Sequence, residues 1–418
     1  MSVTQTYFNT LMDNFNLPEN APVAVGISGG ADSLFLTIML QNWAQKTNRS
    51  LIALTVNHNL RSEAASEAEH VAKQMKSLKI EHHILTYTGP KPKTRIEEKA
   101  RNIRYKLLQD FCAQKNISYL CLAHHQEDQA ETFLARLARG SGIDGLAAIH
   151  SQSKRDNLFL LRPILSLSKK DIIDTLRSKG FQWVEDPMNQ DETFERVRWR
   201  KNLDTLWQMG LTPHGINLST KRLARASEAL DFYTRHFIKE NVIIDNRGFA
   251  KIQTFPFDTI PQEMRLRVLS YLIQLIGDSP VPLSLDSLES ALIAQKRQAT
   301  LGHCHIIRQK KFLFISKEHA RQDPPKNIPA KKWVRWDRFQ VYSEQPAIIR
   351  AGLAKKIEKD IPYLVQQSFP FFEFEKTLEK NEKLDYNHNS TYIKTHIEFK
   401  PKHKDYKWQI NPVLIKTV

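Results

Sequence analysis

The stretch VAVGISGGADSLFLTIML, from Val23 to Leu40, decides the fold. A short apolar run leads into the segment Ser28–Ser33, which contains two glycines, and a second apolar run follows at once. This order predicts a buried strand, a tight loop and a helix. Gly29 and Gly30 have no Cβ, so backbone N–H groups of the loop can approach a ligand closely. Together with the start of the helix, they predict an anion-binding site.

The loop differs from a kinase-type phosphate loop, because none of the 14 glycines in the chain is followed by lysine. It carries Asp32 and the hydroxyls of Ser28 and Ser33 instead. A carboxylate repels phosphate, but Mg²⁺ bridges carboxylate and phosphate oxygens. We therefore expect Asp32 beside a nucleotide-bound Mg²⁺. The alternative is an ordinary strand-to-helix turn in which Asp or Ser caps the helix.

Strand and helix patterns alternate on both sides of this loop. The predicted strands are 22–28, 51–58, 80–87 and 118–124, and the predicted helices are 33–45, 63–78, 95–115 and 127–138. Strands separated by helices imply right-handed crossovers and therefore an α/β fold with a doubly wound, mostly parallel sheet. Ligands of such sheets bind at the carboxyl ends of the strands. Polar segments follow three of these ends, at Ser28–Ser33, 57–61 and 123–132.

The third polar segment reads AHHQEDQAET. At about 100° per residue, a helix places His124, Asp128 and Glu131 on one face. One interpretation is a transition-metal site formed by a histidine and two carboxylates. The other is that Asp128 shares Mg²⁺ with Asp32 while His124 or Glu131 handles a proton or orients the nucleophile. A solvated helix start would equally explain Gln126 and Glu127.

Two further segments are rich in arginine. In RIEEKARNIRY, Glu97, Arg101 and Arg104 share a helix face, which suits either a weak i,i+4 salt bridge or the stabilisation of negative charge on a phosphate. In WVEDPMNQDETFERVRWRK, basic residues that include Arg196 follow a predicted turn and suit phosphate contacts.

The composition favours a polyanionic partner. The 418-residue chain has a net charge of +16 and a sequence pI of about 9.6, which is typical of nucleic-acid-binding proteins. Three cysteines without a Cys-x-x-Cys pair indicate a reducing compartment and no zinc knuckle. No apolar run of about 18 residues and no signal peptide are present, so we expect a cytoplasmic protein without a membrane span.

The pattern changes after residue 215. We expect three domains: an α/β domain over 1–215, a mainly helical domain over 216–320, and a small basic α+β domain over 330–418. Helices are predicted over 218–239, 262–275 and 284–294, and a strand pair over 304–318. The region from Arg321 onward has 19 Lys/Arg against 12 Asp/Glu. This net of +7, with interleaved aromatics, suits contact with nucleic-acid phosphates.

These segments occur together and in order, and as a set they resemble a known family. Ser28-Gly-Gly-x-Asp-Ser33 resembles the PP-loop of the N-type ATP pyrophosphatases, and residues 20–205 resemble the tRNA(Ile)-lysidine synthases within that superfamily. The resemblance implies a ligase that joins free L-lysine to the wobble cytidine of tRNA(Ile) with a CAU anticodon. ATP would adenylylate the cytosine oxygen, and lysine would then displace AMP, with pyrophosphate as the other product. Residues 330–418 lie outside this resemblance; from their basic charge and aromatics we expect them to contact the tRNA acceptor stem. A homodimer is a further expectation.

The same resemblance assigns roles to individual residues. It places the ATP phosphates on the loop, Mg²⁺ on Asp32 and Asp128, and adenosine near His58. It assigns the stabilisation of transition-state phosphate charge to Arg104 and Arg196. It assigns the orientation of the tRNA base or the lysine amine to His124 and Glu131. The loop residues involved are Ser28, Gly29, Gly30, Ala31, Asp32 and Ser33.

The chain departs from the family pattern at Val197, where Asn is usual, although Arg196 is kept. Two rival functions remain open. A PP-loop tRNA thiolase needs a sulfur-carrying cysteine, whereas Cys112 and Cys121 look like core residues. A non-catalytic tRNA-binding protein would not need the carboxylates Asp32, Asp128 and Glu131.

Overall fold

The computed structural model describes residues 2–59, 64–91, 94, 96–184, 195–279, 283–293, 297–352, 358–373 and 395–400. The chain divides into the units Met1–Ser227 and Glu228–Val418. The predicted domain boundaries at 215 and between 320 and 330 stay predictions.

The first unit contains the predicted alternation of strands and helices. Its elements are α1 (Gln5–Asp13), β1 (Val23–Gly26), α2 (Ala31–Lys46), β2 (Leu51–Asn57), α3 (Ala64–Ser77), β3 (Glu81–Thr86), α4 (Ile96–Gln114), β4 (Tyr119–Cys121), α5 (Gln126–Leu137), α6 (Ile143–Leu146), β5 (Gln152–Arg155), β6 (Leu158–Leu161), α7 (Lys169–Ser178), α8 (Glu195–Gln208) and α9 (Pro213–Asn241). α9 crosses the division between the two units.

Within the described residues of this unit, the strands form one six-stranded sheet in the order β3-β2-β1-β4-β6-β5. All neighbouring strands are parallel except β5, which pairs antiparallel with β6 at the edge. The predicted doubly wound, mostly parallel sheet is therefore confirmed. Sequence patterns did not predict β5, β6 or α7.

The core lies on both faces of this sheet, because successive side chains of a strand point to opposite faces. Val23 and Val25 pack into one cluster with residues of α2, whereas Ala24 packs into another with Leu108 and Cys112 of α4. α2 is buried over most of its circumference, as expected for a central helix that is apolar on all sides. Helices therefore cover both faces of the sheet.

The strand order reverses between β1 and β4. β2 and β3 lie on one side of β1, and β4, β6 and β5 lie on the other. A reversal of this kind opens a crevice at the carboxyl ends of the two strands, and ligands of doubly wound sheets bind there. The loop after β1 carries Ser28–Ser33, and the segment after β4 carries His124 and His125. The fold thus brings two of the predicted polar segments to one crevice.

The second unit combines helices with antiparallel sheets. Beyond α9, its elements are β7 (Val242–Asp245), β8 (Phe249–Gln253), α10 (Thr254–Thr259), α11 (Gln262–Gly277), α12 (Leu285–Ile293), β9 (Gln298–Leu301), β10 (Cys304–Arg308), β11 (Phe312–Lys317), β12 (Lys326–Ile328), β13 (Val334–Trp336), β14 (Phe339–Ser343), β15 (Ala347–Ala351), α13 (Tyr363–Gln366), β16 (Pro370–Glu373) and β17 (Thr395–Phe399).

The described strands of this unit form a five-stranded sheet, β7-β8-β11-β10-β9, and two three-stranded sheets, β12-β15-β16 and β13-β14-β17. α11 packs its apolar side, including Val268 and Leu272, against the five-stranded sheet. The predicted helices and the strand pair β10–β11 are present. β7, β8 and β9 were not predicted, because each is only four or five residues long and gives a weak period.

Candidate active site

The loop after β1 is held by its own hydroxyls. Ser33 Oγ accepts a hydrogen bond from Ser28 N at 3.1 Å, donates to Gly30 O at 3.0 Å and lies 3.2 Å from Ser28 Oγ. Gly29 has a φ of +88°, a conformation that L side chains rarely adopt. Gly30 is the N-cap of α2. The loop therefore presents the first N–H groups of α2, which is the arrangement that binds anions.

Three helix N-termini meet at this loop. Asp32 lies in the first turn of α2, Asp128 in the first turn of α5, and Lys169 is the first residue of α7. Lys169 Nζ donates to both carboxylate oxygens of Asp32 at 2.6 Å. Because each helix N-terminus carries a partial positive charge, their convergence favours a negatively charged ligand.

His125 lies between the two predicted metal-binding carboxylates. Its Nε2 is 3.6 Å from Asp32 Oδ2 and 3.5 Å from Asp128 Oδ2. Its backbone N–H donates to Asp128 Oδ2 at 3.0 Å, so Asp128 also caps the start of α5. Asp32 and Asp128, predicted to share one cation, thus flank the same imidazole ring.

The imidazole of His125 is buried and faces three carboxylates. Its Nδ1 lies 2.9 Å from Glu127 Oε2. Burial lowers the pKa of His125, but the hydrogen bond to Glu127 and the charges of Asp128 and Asp32 outweigh burial, so the pKa lies above its usual value. The negative potential of the carboxylates therefore favours a cation at this position.

Glu127 connects the starts of two helices. Its carboxylate accepts the backbone N–H of Lys169 at 2.9 and 3.1 Å, in addition to its contact with His125. Sequence reasoning missed His125, Glu127 and Lys169. Glu127 looked like a solvated helix start, and Lys169 lies 137 residues from Asp32. In the sequence, this part of the site was indicated only by His125, the second histidine next to His124.

His58 and Arg104 lie close enough to interact electrostatically. His58 follows β2, and burial, and then the charge of Arg104 on α4, lower its pKa. The imidazole is therefore neutral near pH 7. Among the described residues, His58 Nδ1 is a buried atom without a hydrogen-bond partner. A ligand with a polar edge, such as an adenosine, would satisfy it.

The remaining predicted residues have less defined surroundings. His124 lies half-buried in the segment between β4 and α5, and Glu131 is buried on α5, one turn after Asp128. Arg196 lies on α8, but its side chain and residues 185–194 are outside the described part of the chain. The segment just before them is tied to the loop, because Val184 N donates to Gly29 O at 3.1 Å.

These residues fit a nucleotide phosphate with Mg²⁺. The chain offers an uncapped helix N-terminus behind two glycines, an unsatisfied buried nitrogen at His58 and the carboxylates Asp32 and Asp128. Mg²⁺ is usually bound by one or two carboxylates together with phosphate oxygens. The part of the chain that the structure describes contains no group of three or more His, Cys, Asp or Glu suited to a metal ion. The transition-metal interpretation of His124, Asp128 and Glu131 stays a prediction, as does the sharing of Mg²⁺ by Asp32 and Asp128.

The three cysteines have the surroundings of core residues. Cys112, Cys121 and Cys304 are buried and unpaired. Burial raises the pKa of Cys112 and Cys304 to about 12 and raises that of Cys121 further. A sulfur carrier acts as a thiolate, so none of the three is suited to that role.

Comparisons with known proteins show the family of this chain. A family model described as a PP-loop domain matches residues 2–206. The fold and the glycine-containing loop thus define a PP-loop protein. A tRNA(Ile)-lysidine synthase of Wolbachia pipientis wMel is 35% identical over 351 residues, covering 81% of each chain. Another, of Ruegeria pomeroyi, is 34% identical over 316 residues, covering 75% of each. The chain belongs to the tRNA(Ile)-lysidine synthase family.

Among solved structures, a U34-tRNA thiolase, NcsA from Methanococcus maripaludis with its 4Fe-4S cluster, is similar with a TM-score of 0.46 and 17% identity. The match covers 52% of this chain and 77% of that one. None of the described helices is long and apolar enough to span a membrane.

Proposed function

We propose that the chain ligates free L-lysine to the wobble cytidine of tRNA(Ile) with a CAU anticodon, with ATP converted to AMP and pyrophosphate. The relatives that cover most of the chain are tRNA(Ile)-lysidine synthases. The observation that carries the proposal is the pair Asp32 and Asp128, which flank His125 Nε2 at 3.6 and 3.5 Å beside a glycine-containing loop. The net charge of +16 suits a tRNA substrate. The reaction would take place in the cytoplasm.

The residues of the crevice divide the work. The loop from Ser28 to Ser33 holds phosphates with its N–H and hydroxyl groups. Asp32 and Asp128 hold Mg²⁺, which neutralises phosphate charge when it is bound. Arg104 and Arg196 stabilise the negative charge that develops during transfer. In a kinase-type loop a lysine also contacts the phosphates, and the two guanidinium groups would take over only part of that role.

The second half of the reaction needs a neutral amine. The amine of lysine has a pKa of about 10.4 in water, so a nearby group must take its proton before it attacks the adenylylated cytidine. Glu131 is buried one turn from Asp128, and His124 lies at the end of β4 beside α5. Either residue suits the role of base. His58 would lie against the adenosine through its unsatisfied Nδ1.

The substrates required for pyrophosphate release test this function. If the cytosine oxygen is activated, ATP with lysine alone releases no pyrophosphate, whereas ATP with the CAU-anticodon tRNA does. A tRNA with uridine at the wobble position should react far more slowly, because the exocyclic amine of cytosine is absent. Mass spectrometry of the nucleoside identifies lysidine. Lysine-dependent pyrophosphate exchange without tRNA would contradict the proposal, and a sulfur-containing product would identify a thiolase.

A further inference from the structure

Lys169 supplies a cation that the loop itself lacks. Its Nζ donates to both Asp32 oxygens at 2.6 Å, from a position 137 residues further along the chain. The loop between β1 and α2 contains no lysine. The ammonium therefore lies beside the phosphate-binding loop, at the carboxylate that is proposed to hold Mg²⁺.

The backbone of Lys169 is fixed while its head group can move. Its N–H is bound by the Glu127 carboxylate, and the residue before it, Ser168, caps α7 by accepting from Asp171 N. The side chain of Lys169 is 38% exposed and that of Asp32 is 26% exposed. An ion pair this exposed is weak and easily exchanged. The four-carbon stem lets the ammonium reach another partner without a movement of α7.

The contact with Asp32 competes with a metal ion. A carboxylate whose two oxygens both accept from one ammonium has fewer lone pairs for Mg²⁺. When Mg²⁺ binds Asp32 and Asp128, its charge also repels the ammonium. The phosphates of a bound nucleotide would offer the ammonium a more negative partner.

We propose that Lys169 holds Asp32 while the site lacks nucleotide and binds a nucleotide phosphate once Mg²⁺ occupies the carboxylates. This inference rests on the proposed ATP-dependent function. It assigns to α7 the lysine that kinase-type loops carry within the loop. Lys169 thereby opposes binding of Mg²⁺ alone and favours binding of Mg²⁺ together with ATP.

Two binding measurements on the full chain separate these effects. The variants are Lys169→Gln, Lys169→Arg and the matched control Lys170→Gln, in which an exposed neighbour on α7 loses its charge. Mn²⁺ alone, followed by electron paramagnetic resonance, probes the carboxylates without nucleotide. Lys169→Gln should bind Mn²⁺ about two- to fivefold more tightly, the range of a partly exposed ion pair.

The same variant should bind ATP in the presence of Mg²⁺ about ten- to a hundredfold more weakly, because a charge-assisted hydrogen bond is lost. Lys169→Arg should recover most of the ATP affinity, and Lys170→Gln should match the wild type in both assays. Changes of opposite sign are not expected from a purely structural role, for which both affinities and the melting temperature would fall together.

Unchanged affinities for Mn²⁺ and for ATP in Lys169→Gln would overturn the proposal, as would a joint loss with a lower melting temperature. Failure of the proposed function has a different signature. In that case the wild type would bind ATP but release no tRNA-dependent pyrophosphate, while the opposite shifts in the Lys169→Gln variant would persist.

Discussion

His125 Nε2 lies 3.6 Å from Asp32 Oδ2 and 3.5 Å from Asp128 Oδ2, the two carboxylates that we propose to bind Mg²⁺. Asp32 starts α2 and Asp128 starts α5. Their charges raise the pKa of His125 against the effect of its burial. Removing either charge therefore changes the electrostatics of the whole crevice.

We expect Asp32→Asn and Asp128→Asn each to abolish pyrophosphate release without unfolding the protein. The Asn oxygen at 128 can still accept the His125 N–H that caps α5, so helix stability is kept. What is lost is a negatively charged oxygen ligand for Mg²⁺. Activity assays at several Mg²⁺ concentrations, with circular dichroism as the folding control, provide the measurement. Normal turnover in both variants would refute the two-carboxylate site.

His82 on β3 predicts a pH dependence of stability. Its Nε2 lies 2.8 Å from Thr55 Oγ1, and Thr55 donates its own hydrogen to Ile27 O at 3.0 Å. Burial, and then the charge of His83, lower the pKa of His82 below 6.5. As the pH falls below 6.5, His82 is therefore protonated in the unfolded chain before it is protonated in the folded protein. The free energy of unfolding decreases over this range, until the pH falls below the pKa of His82 in the folded protein.

Chemical denaturation of the wild type and of His82→Gln between pH 5 and 8 tests this effect. The wild type should lose stability below about pH 6.5 relative to the variant, because glutamine does not titrate. Above that pH the difference between the two should be constant. Parallel pH profiles over the whole range would show that His82 does not titrate differently on folding.

At the scale of elements, the hairpin β10–β11 carries a basic surface. An open surface depression beside its turn is lined by Arg297, Arg308, Gln309 and Lys310. Arg308 is paired with Asp258 on α10, whereas Lys310 is exposed at the turn. These donors suit tRNA phosphates.

Lys310→Gln should weaken tRNA binding and lower the slope of log affinity against log salt by about one unit, as expected for one lost phosphate contact. The matched control is Lys46→Gln, the same charge change at the end of α2 that lies away from the loop. Filter binding at several salt concentrations measures both. Equal slopes for the two variants would mean that the hairpin does not contact tRNA.

Helices and strands with a clear periodicity of apolar residues were predictable from the sequence. Contacts between elements far apart in the chain were not. The apolar runs gave β1, β2 and β4, and their order along the chain gave the parallel sheet. Asp32 and Asp128 were predicted to lie close together because both follow strand ends, and both lie beside His125. Lys169 was missed because a single lysine at a helix start is an ordinary surface residue until the fold places it against Asp32.

At the scale of the whole molecule, the second unit depends on a buried ionic cluster. Asp337 accepts from Lys317 Nζ at 2.6 Å and from Arg338 Nη1 at 2.9 Å, and all three side chains are buried. Arg338 also donates to Gly248 O at 3.2 Å. The cluster connects β11 with the turn between β13 and β14. The basic region from Arg321 onward therefore includes residues that are part of the core of this unit.

Asp337→Asn should destabilise this unit by about 3–5 kcal/mol, because two buried cations lose their counter-ion. Asp337 has a φ of +47°, which asparagine also tolerates, so the substitution removes charge without backbone strain. Urea unfolding followed by tryptophan fluorescence compares it with Asp360→Asn, an exposed site in the same unit. Equal midpoints for the two variants would show that the buried charges are not coupled.

Because of this ionic cluster, deletion of residues 330–418 is a poor test of their predicted contact with tRNA. Deletion of residues 330–418 would remove Asp337 and leave Lys317 without this partner. It would also remove Val365 and Phe369, which pack with Phe249 and Phe314. Loss of tRNA affinity after such a deletion would not distinguish unfolding from lost contacts. Charge substitutions at exposed lysines are the better test of the predicted tRNA contact.

The register of β1 against β4 sets the distance between the two segments that carry Asp32 and Asp128. Val23 is opposite Tyr119 and Val25 is opposite Cys121, and each strand runs directly into the segment that carries its carboxylate. The spacing between Asp32 and Asp128 is therefore set by main-chain hydrogen bonds. A slip of one residue would displace one carboxylate by about 3.3 Å. Side-chain substitutions that keep this pairing should leave the distance unchanged, whereas one residue inserted into or deleted from either strand should shift it.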